Sequence, residues 1–339
     1  IEEVRHHLKR RGNTPDIIEG VIEQFEKFIW GYHVLEDLIN DPTISDIKVM
    51  DENNIRIKRH GKRMDATGIH FKSKQDYKQF VDYVAVKNAK NISDIAAIQT
   101  FTDKTSNENF ILRFNITTEY VNSHDLPYLQ IRKIPKKKYT MEDLINYKMM
   151  DRKTADYLID KAANGSGIVF CGKGASGKTS AMNALIEHIP HDKSGLVIQE
   201  NEELFSHTHP ELMFQHVVTN KGEGKIRYTL KDLAINGLLT DIDYFIIGEI
   251  KGGEALYLLN ASYTGARCWT SIHSNNSTQA LDKLADYVKY ESDYSKADIL
   301  NMLTSLNTIV FMKDFKVAEI SEVKGWNPEK QVIEYERIL

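Results

Sequence analysis

The sequence predicts an α/β protein in two parts, and three observations carry that expectation. At 339 residues the chain is longer than one hydrophobic core usually serves. From Gly167 onward, short apolar runs alternate with helical segments, as in a sheet with helices on both faces. Before Thr140 the order differs, with helices first and paired strand-like runs after them.

Asp16–Trp30 places Ile17, Ile18, Val21, Ile22, Phe25 and Ile29 at helical spacing, and a short helix is expected over His33–Ile39. Ile47–Met50 and Ile55–Lys58 alternate with the period of half-buried strands, joined by a turn at Asp51–Asn54. A further strand is expected through Ile69 and Phe71. A helix should follow over Ser73–Lys87, with Tyr77, Phe80, Val81, Tyr83 and Val84 on its apolar side. Phe110–Ile116 and Tyr128–Ile134 read as strands, each carrying an arginine, Arg113 and Arg132. The basic cluster Arg132, Lys133, Lys136 and Lys137 reads as a solvated linker, a nucleotide-facing edge or a partner surface. Thr140, followed by Glu142 and Asp143, suits a helix start.

The later strand candidates are Ile168–Cys171, Gly195–Gln199, Tyr244–Gly248, Arg267–His273 and Thr308–Met312. Ala318–Val323 and Gln331–Tyr335 read as a hairpin. These signals set boundaries at 1–34 for an N-terminal helical segment, 35–134 for a mixed α/β domain, 135–142 for a linker and 143–339 for the larger domain.

Hydrophobic residues make up 41% and charged residues 27%, the composition of a soluble globular chain. The net charge of -4, from 44 basic and 48 acidic side chains, gives no reason to expect a general nucleic-acid binder and leaves a local basic channel open. Cys171 and Cys268 both fall in apolar runs and read as buried free thiols of a reducing compartment. No run reaches 18 apolar residues, so no segment reads as a membrane span, which leaves docking on a membrane machine open. The chain opens Ile1-Glu-Glu-Val-Arg without a methionine, as expected of a piece of a longer protein.

Gly172-Lys173-Gly174-Ala175-Ser176-Gly177-Lys178-Thr179 fits G-x-x-x-x-G-K-[ST] without a mismatch. An apolar strand precedes it and a helix is expected over Ser180–Ile189, which is the context the motif requires. Glycines let backbone N–H groups wrap phosphates where a helix start adds positive potential. Lys178 would reach the β- and γ-phosphates, and the Thr179 hydroxyl would hold Mg²⁺. The motif points to a nucleoside triphosphate and leaves the reaction open.

Tyr244–Gly248 reads as a buried strand ending at Glu249. Parallel sheets put ligands at the carboxyl ends of their strands. Glu249 there would orient or deprotonate an attacking water, or hold Mg²⁺ through water; an exposed glutamate after a core strand is the plainer alternative. Asp243, at the opposite end, reads as structural. Gln199-Glu200-Asn201-Glu202-Glu203 ends another strand and reads as a source of metal-water contacts or as a solvated acidic turn, with no single position distinguished. His273 reads either as a γ-phosphate sensor or as a packing or surface histidine.

Four segments in order carry a resemblance: Gly172–Thr179, Ile198-Gln-Glu-Asn-Glu-Glu-Leu204, Ile246-Ile-Gly-Glu-Ile-Lys251 and Thr264-Gly-Ala-Arg-Cys-Trp-Thr-Ser-Ile-His273. With Leu35–Val49 they make the chain resemble the secretion and pilus ATPase superfamily of type II and type IV systems. It looks most like the branch containing the Tad-pilus and VirB11-like ATPases. The resemblance implies a RecA-like P-loop NTPase core behind a smaller mixed α/β N-terminal domain. It implies ATP and Mg²⁺ as ligands, with Gly172, Lys173, Gly174, Ala175, Ser176, Gly177, Lys178, Thr179 and Ser180 around the nucleotide. Catalytic work would fall to Glu249, to Glu200 or Glu203, to His273, and to Arg113 and Arg132.

The resemblance further implies a homo-oligomer, generally a hexameric ring. Such a ring would be cytoplasmic, peripheral to the cytoplasmic membrane, and would work on an inner-membrane platform protein in pilus assembly, secretion or conjugation. Departures are visible. Gln199 stands where the family's acidic box begins with a carboxylate, and Lys251 where many relatives have arginine. Leu239-Thr-Asp241-Ile-Asp243 lacks the arginines often found before that strand, which leaves Arg113, Arg132 or Arg227 for phosphate contacts. A DNA-translocating or helicase-like motor, a small-molecule kinase and an ATP-binding structural ring with little turnover are the rival expectations.

Overall fold

The structure, a computed structural model, describes residues 1–59, 61–219 and 227–339. Within them the chain divides into two compact units, Ile1–Lys137 and Lys138–Leu339, so residues 1–34 group with the first sheet.

The first unit holds strands β1 (Ile44–Val49), β2 (Ile55–Arg59), β3 (Lys62–Asp65), β4 (Ile98–Asp103), β5 (Phe110–Thr117) and β6 (Tyr128–Pro135). They form an antiparallel sheet in the order β3-β2-β1-β6-β5-β4. Alternation decides its two faces. Phe110, Leu112, Phe114 and Ile116 of β5 are buried, with Leu129 and Ile131 of β6 and Ile47 and Val49 of β1. The helix Lys74–Lys87 contributes Tyr77, Phe80, Val81 and Val84 to the same core, and the Ser73 hydroxyl caps it by accepting from the Asp76 N–H. The other face carries Arg113 and Arg132, which stand directly opposite each other across β5 and β6.

Two expectations fail here. No strand runs through Ile69 and Phe71: Gly68 adopts φ +82°, and the Ile69 N–H bonds back to the Ala66 carbonyl, closing a turn. Phe71 is instead a core ring against Tyr77 and Phe80. Lys133 is not part of a solvated basic run. It is 5% exposed, points to the core side of β6, and donates from Nζ to the carbonyls of Leu38 and Asp41 over the Phe110 ring.

The second unit holds β7 (Gly167–Gly172), β8 (Gly195–Gln199), β9 (Leu212–His216), the short ribbon β10 (Val218–Thr219) with β11 (Arg227–Tyr228), then β12 (Tyr244–Ile247), β13 (Arg267–Ile272), β14 (Thr308–Lys313), β15 (Lys316–Asn327) and β16 (Val332–Arg337). The main sheet runs β16-β15-β14-β7-β13-β12-β8-β9. It is parallel from β14 to β9 and antiparallel in the terminal hairpin.

A parallel sheet needs cover on both faces. β7 sends Ile168 and Phe170 toward the layer of Arg152–Asn164 and Lys178–Ile186. Val169 and Cys171 go to the layer of Leu230–Gly237, Ala255–Tyr263, Ala280–Val288 and Lys296–Leu303. Cys171 and Cys268 are buried and unpaired, and burial pushes both thiols up. Thr140 starts its helix with a reciprocal capping box to Asp143. Among the described residues no helix is long and apolar enough to cross a membrane.

Burial holds the Lys133 ammonium down to about 8, against the pull of Asp41. Between that value and the ordinary lysine range near ~10.5, the unfolded chain binds the extra proton, so stability must rise with pH. Urea unfolding of the full chain should show a gain of roughly 1–3 kcal/mol between pH 8 and pH 10 that Lys133→Met lacks. Parallel pH dependence in the two proteins would contradict the burial assignment.

Candidate active site

Hydrogen-bonded neighbours β7, β13, β12 and β8 all end at the same edge of the sheet. Beyond those ends lie the phosphate loop, His273, Glu249 and Glu200. The loop begins at Gly172, with φ +144°; a β-carbon there would lie 2.2 Å from the Met312 carbonyl oxygen, so only glycine fits. Ala175 is also left-handed, at φ +58°, and Gly177 caps the helix Lys178–Ile186. The Ser176 hydroxyl is buried without a hydrogen-bond partner among the described residues. Lys178 is buried too, and its Nζ folds back to donate to the carbonyls of Gly172 (3.0 Å) and Lys173 (2.9 Å). Burial lowers the tendency of this ammonium to hold its proton, and the charge of Glu249 opposes that. An ammonium inside a ring of loop backbone, beside an orphaned hydroxyl and a helix start, is a cradle that fits polyphosphate.

Thr179 shares a cavity of about 60 Å³ with Gln199, Glu200, Asn201, Glu203, Leu204, Gly248 and Glu249. A hydroxyl facing carboxylates gives hard oxygen donors of the kind Mg²⁺ takes alongside water and substrate phosphate. No group of three or more His, Cys, Asp or Glu side chains builds an all-protein metal cage among the described residues. A larger open hollow of about 430 Å³ lies in the first unit, against Asp51–Asn54, Lys74 and His124, and none of the residues named above lines it.

Glu249 is held at both oxygens. His273 Nε2 lies 2.8 Å from Oε1 and Lys251 Nζ lies 3.0 Å from Oε2. Burial works against its charge, but the Lys251 hydrogen bond, the Lys251 charge, the neighbouring His273 ring and the Lys178 charge keep the carboxyl below its ordinary value. Lys251 also reaches Glu200 Oε2 at 2.6 Å; against the cost of burial, these two carboxylates hold its ammonium above the usual range. The backbone around Glu249 is fixed from β13: Ser271 Oγ donates to the Gly248 carbonyl and the Ile250 N–H to the Ser271 carbonyl. Glu254 accepts from the N–H groups of Lys251 and Gly252.

The sheet thus brings together Lys178, Thr179, Glu200, Glu203, Glu249 and His273. A β-carbon on Gly174 would come within 3.5 Å of His273 Cε1, so the histidine faces both the loop and the carboxylate. Asp243, at the far end of β12, accepts from the Ser194 N–H. Arg113 and Arg132 lie in the first unit, and neither forms an ion pair with a described residue. Like charges directly opposite on a sheet repel, so the pair suits an anion.

Two features were not read from the sequence. Gln199 is no failed acid: it is 3% exposed, Oε1 accepts from the N–H groups of Glu203 and Leu204, and Nε2 donates to the Leu204 carbonyl. A carboxylate could not make the last bond. Lys251 was visible as a substitution, but its bridge between Glu200 and Glu249 joins two strand ends and has no local signal.

Fold and site together define the class: a RecA-like P-loop NTPase core preceded by a smaller mixed α/β domain. Residues 31–313 match the type II/IV secretion system protein family, and the chain belongs to that family. An uncharacterized protein of Methanocaldococcus jannaschii, MJ0900, is 26% identical over 326 residues, 93% of this chain and 56% of the relative. The type IV secretion system protein VirB11 of Bartonella henselae is 28% identical over 165 residues, 45% of each chain. This chain spans about half the length of these curated relatives. The solved Legionella pneumophila ATPase DotB superposes with a TM-score of 0.58 at 16% identity, over 90% of this chain and 78% of that one, a likeness of fold alone.

Gln199→Glu should remove the bond from Nε2 to the Leu204 carbonyl and bury a charge. The expected loss is about 1–3 kcal/mol, a thermal midpoint lower by roughly 3–8 °C. An unchanged midpoint would mean that the amide does not clamp the turn.

Proposed function

We propose that this chain binds Mg²⁺-ATP at Gly172–Thr179 and hydrolyses it, as the motor of a secretion, pilus or conjugation machine. The observation that carries the reading is Glu249, an ionised carboxylate bonded to His273 and lining one cavity with Thr179 of the phosphate loop. Membership of the secretion family supports it, as does the likeness to a protein named as an ATPase.

Gly172, Lys173, Gly174, Ala175, Ser176 and Gly177 would wrap the phosphates with backbone N–H groups, joined by those of Lys178, Thr179 and Ser180 at the helix start. Lys178 must give up the carbonyls of Gly172 and Lys173 to meet the β- and γ-phosphates, so its two present bonds hold the place of the ligand. The Thr179 hydroxyl, with Glu200, Glu203 or Glu249 through water, would hold Mg²⁺, which would supply charge neutralisation at the phosphates.

Glu249 orients the attacking water and accepts its proton as it adds to the γ-phosphorus, with ADP leaving. Lys251 and Lys178 help keep Glu249 deprotonated before the water attacks. His273 contacts Glu249 and faces the loop at Gly174, a place from which it would sense loss of the γ-phosphate. Arg113 and Arg132 are assigned the transferred group's charge, in their own subunit or across a ring. The assembly is a homo-oligomer, a hexamer by family resemblance, acting from the cytoplasmic side on an inner-membrane platform protein.

Steady-state phosphate release and calorimetric ATP titration test the assignment. Glu249→Gln should lower kcat by about 10²–10⁴ while ATP affinity stays within a few-fold, and Lys178→Ala should lose the affinity itself. Undiminished turnover in Glu249→Gln would refute the role given to that carboxylate.

A further inference from the structure

The hairpin of β14 and β15 turns through only two residues, Asp314 and Phe315. Both are left-handed, with φ +50° and +60°. Two-residue turns of this hand favour Asn-Gly or Asp-Gly, because the second position suits glycine. A phenylalanine there is strained, and a strained residue that persists invites a functional reason. Its ring gains little from the fold, since Phe315 is 50% exposed.

Its surroundings supply the reason. A β-carbon placed on Gly177 would lie 3.5 Å from Phe315 Cδ1, 3.5 Å from Met312 Cε and 2.9 Å from Met149 Cε. An aromatic ring and two thioether methyl groups therefore flank the phosphate loop at the residue before Lys178. The Val317 N–H donates to the Met149 carbonyl at 2.8 Å, tying the hairpin to this ledge. A nucleoside whose phosphates rest in Gly172–Thr179 carries its base only one ribose away. An exposed ring at the rim of the loop stands within that reach.

We propose that Phe315 is the stacking platform for the nucleobase, with the buried Met149 and Met312 side chains backing the loop at Gly177 behind it. The inference rests on the reading of Gly172–Thr179 as a nucleotide site and adds the base-binding half. Phe315 lies outside the family match, which ends at residue 313. Stacking uses the π-face that every base has, so this platform gives affinity for a base without choosing between adenine and guanine.

The test titrates the full chain with ADP, GDP and inorganic tripolyphosphate, following heat or intrinsic fluorescence rather than turnover. Phe315→Gly suits the left-handed turn and keeps the fold; Phe315→Trp keeps a platform. The glycine variant should bind ADP and GDP about tenfold more weakly and tripolyphosphate within about twofold of the parent, and tryptophan should restore the loss. Unchanged ADP affinity in Phe315→Gly, or an equal loss for ADP and tripolyphosphate, would overturn the platform while leaving the phosphate loop standing. A parent protein that binds none of the three would remove the nucleotide reading and this inference with it.

Discussion

The chemistry of the second unit depends on how a buried parallel sheet disposes of its strand ends. β7, β13, β12 and β8 are neighbours, their side chains are buried on both faces, and all four release the chain at one edge. The polar residues that cannot enter such a sheet gather beyond that edge. Cys171 leads into the phosphate loop, Ile247 into Gly248 and Glu249, Ile272 into His273, and Gln199 into Glu200. Lys251 then meets both Glu200 and Glu249, and His273 meets Glu249, only because the register of the sheet sets these ends side by side.

Electrostatics follow from that packing. A half-buried carboxylate without cations would tend to take up a proton, and Glu249 is kept from doing so by Lys251, His273 and Lys178. Lys178, buried with a helix start behind it, donates to the loop carbonyls of Gly172 and Lys173. Under the proposed reading, triphosphate would bring negative charge to the place where Lys178 and Lys251 converge and would compete with Glu249 and the loop for the same partners. Exchange of partners is therefore built into the site, and its rigid part is the turn clamped by Gln199.

Much of this was legible from the chain. The loop motif and the apolar runs around it are local signals, and the strand ends follow once a parallel sheet is inferred. Strands β4 and β9 escaped notice because Ile98–Asp103 and Leu212–His216 lie near sheet edges, where burial leaves weak alternation. The missing strand near Phe71 shows the reverse error, since two apolar residues around a left-handed glycine mimic alternation without forming it. Lys133 looked like part of a basic surface run, but strand period turns it inward while Arg132 faces out. Gln199 and Lys251 looked like losses. Their partners lie four or five and about fifty residues away, respectively, where no sequence period reports them.

The first unit enters this account through Arg113 and Arg132, whose cross-strand placement sets two cations side by side on one face of its sheet. The most direct measurement of the central claim is a crystal structure of the full chain with Mg²⁺ and a non-hydrolysable ATP analogue. The account predicts a γ-phosphate between Lys178 Nζ, His273 and Glu249, with Lys178 withdrawn from the Gly172 and Lys173 carbonyls. A nucleotide bound elsewhere, or an unmoved Lys178 with Glu249 remote from the phosphates, would contradict it.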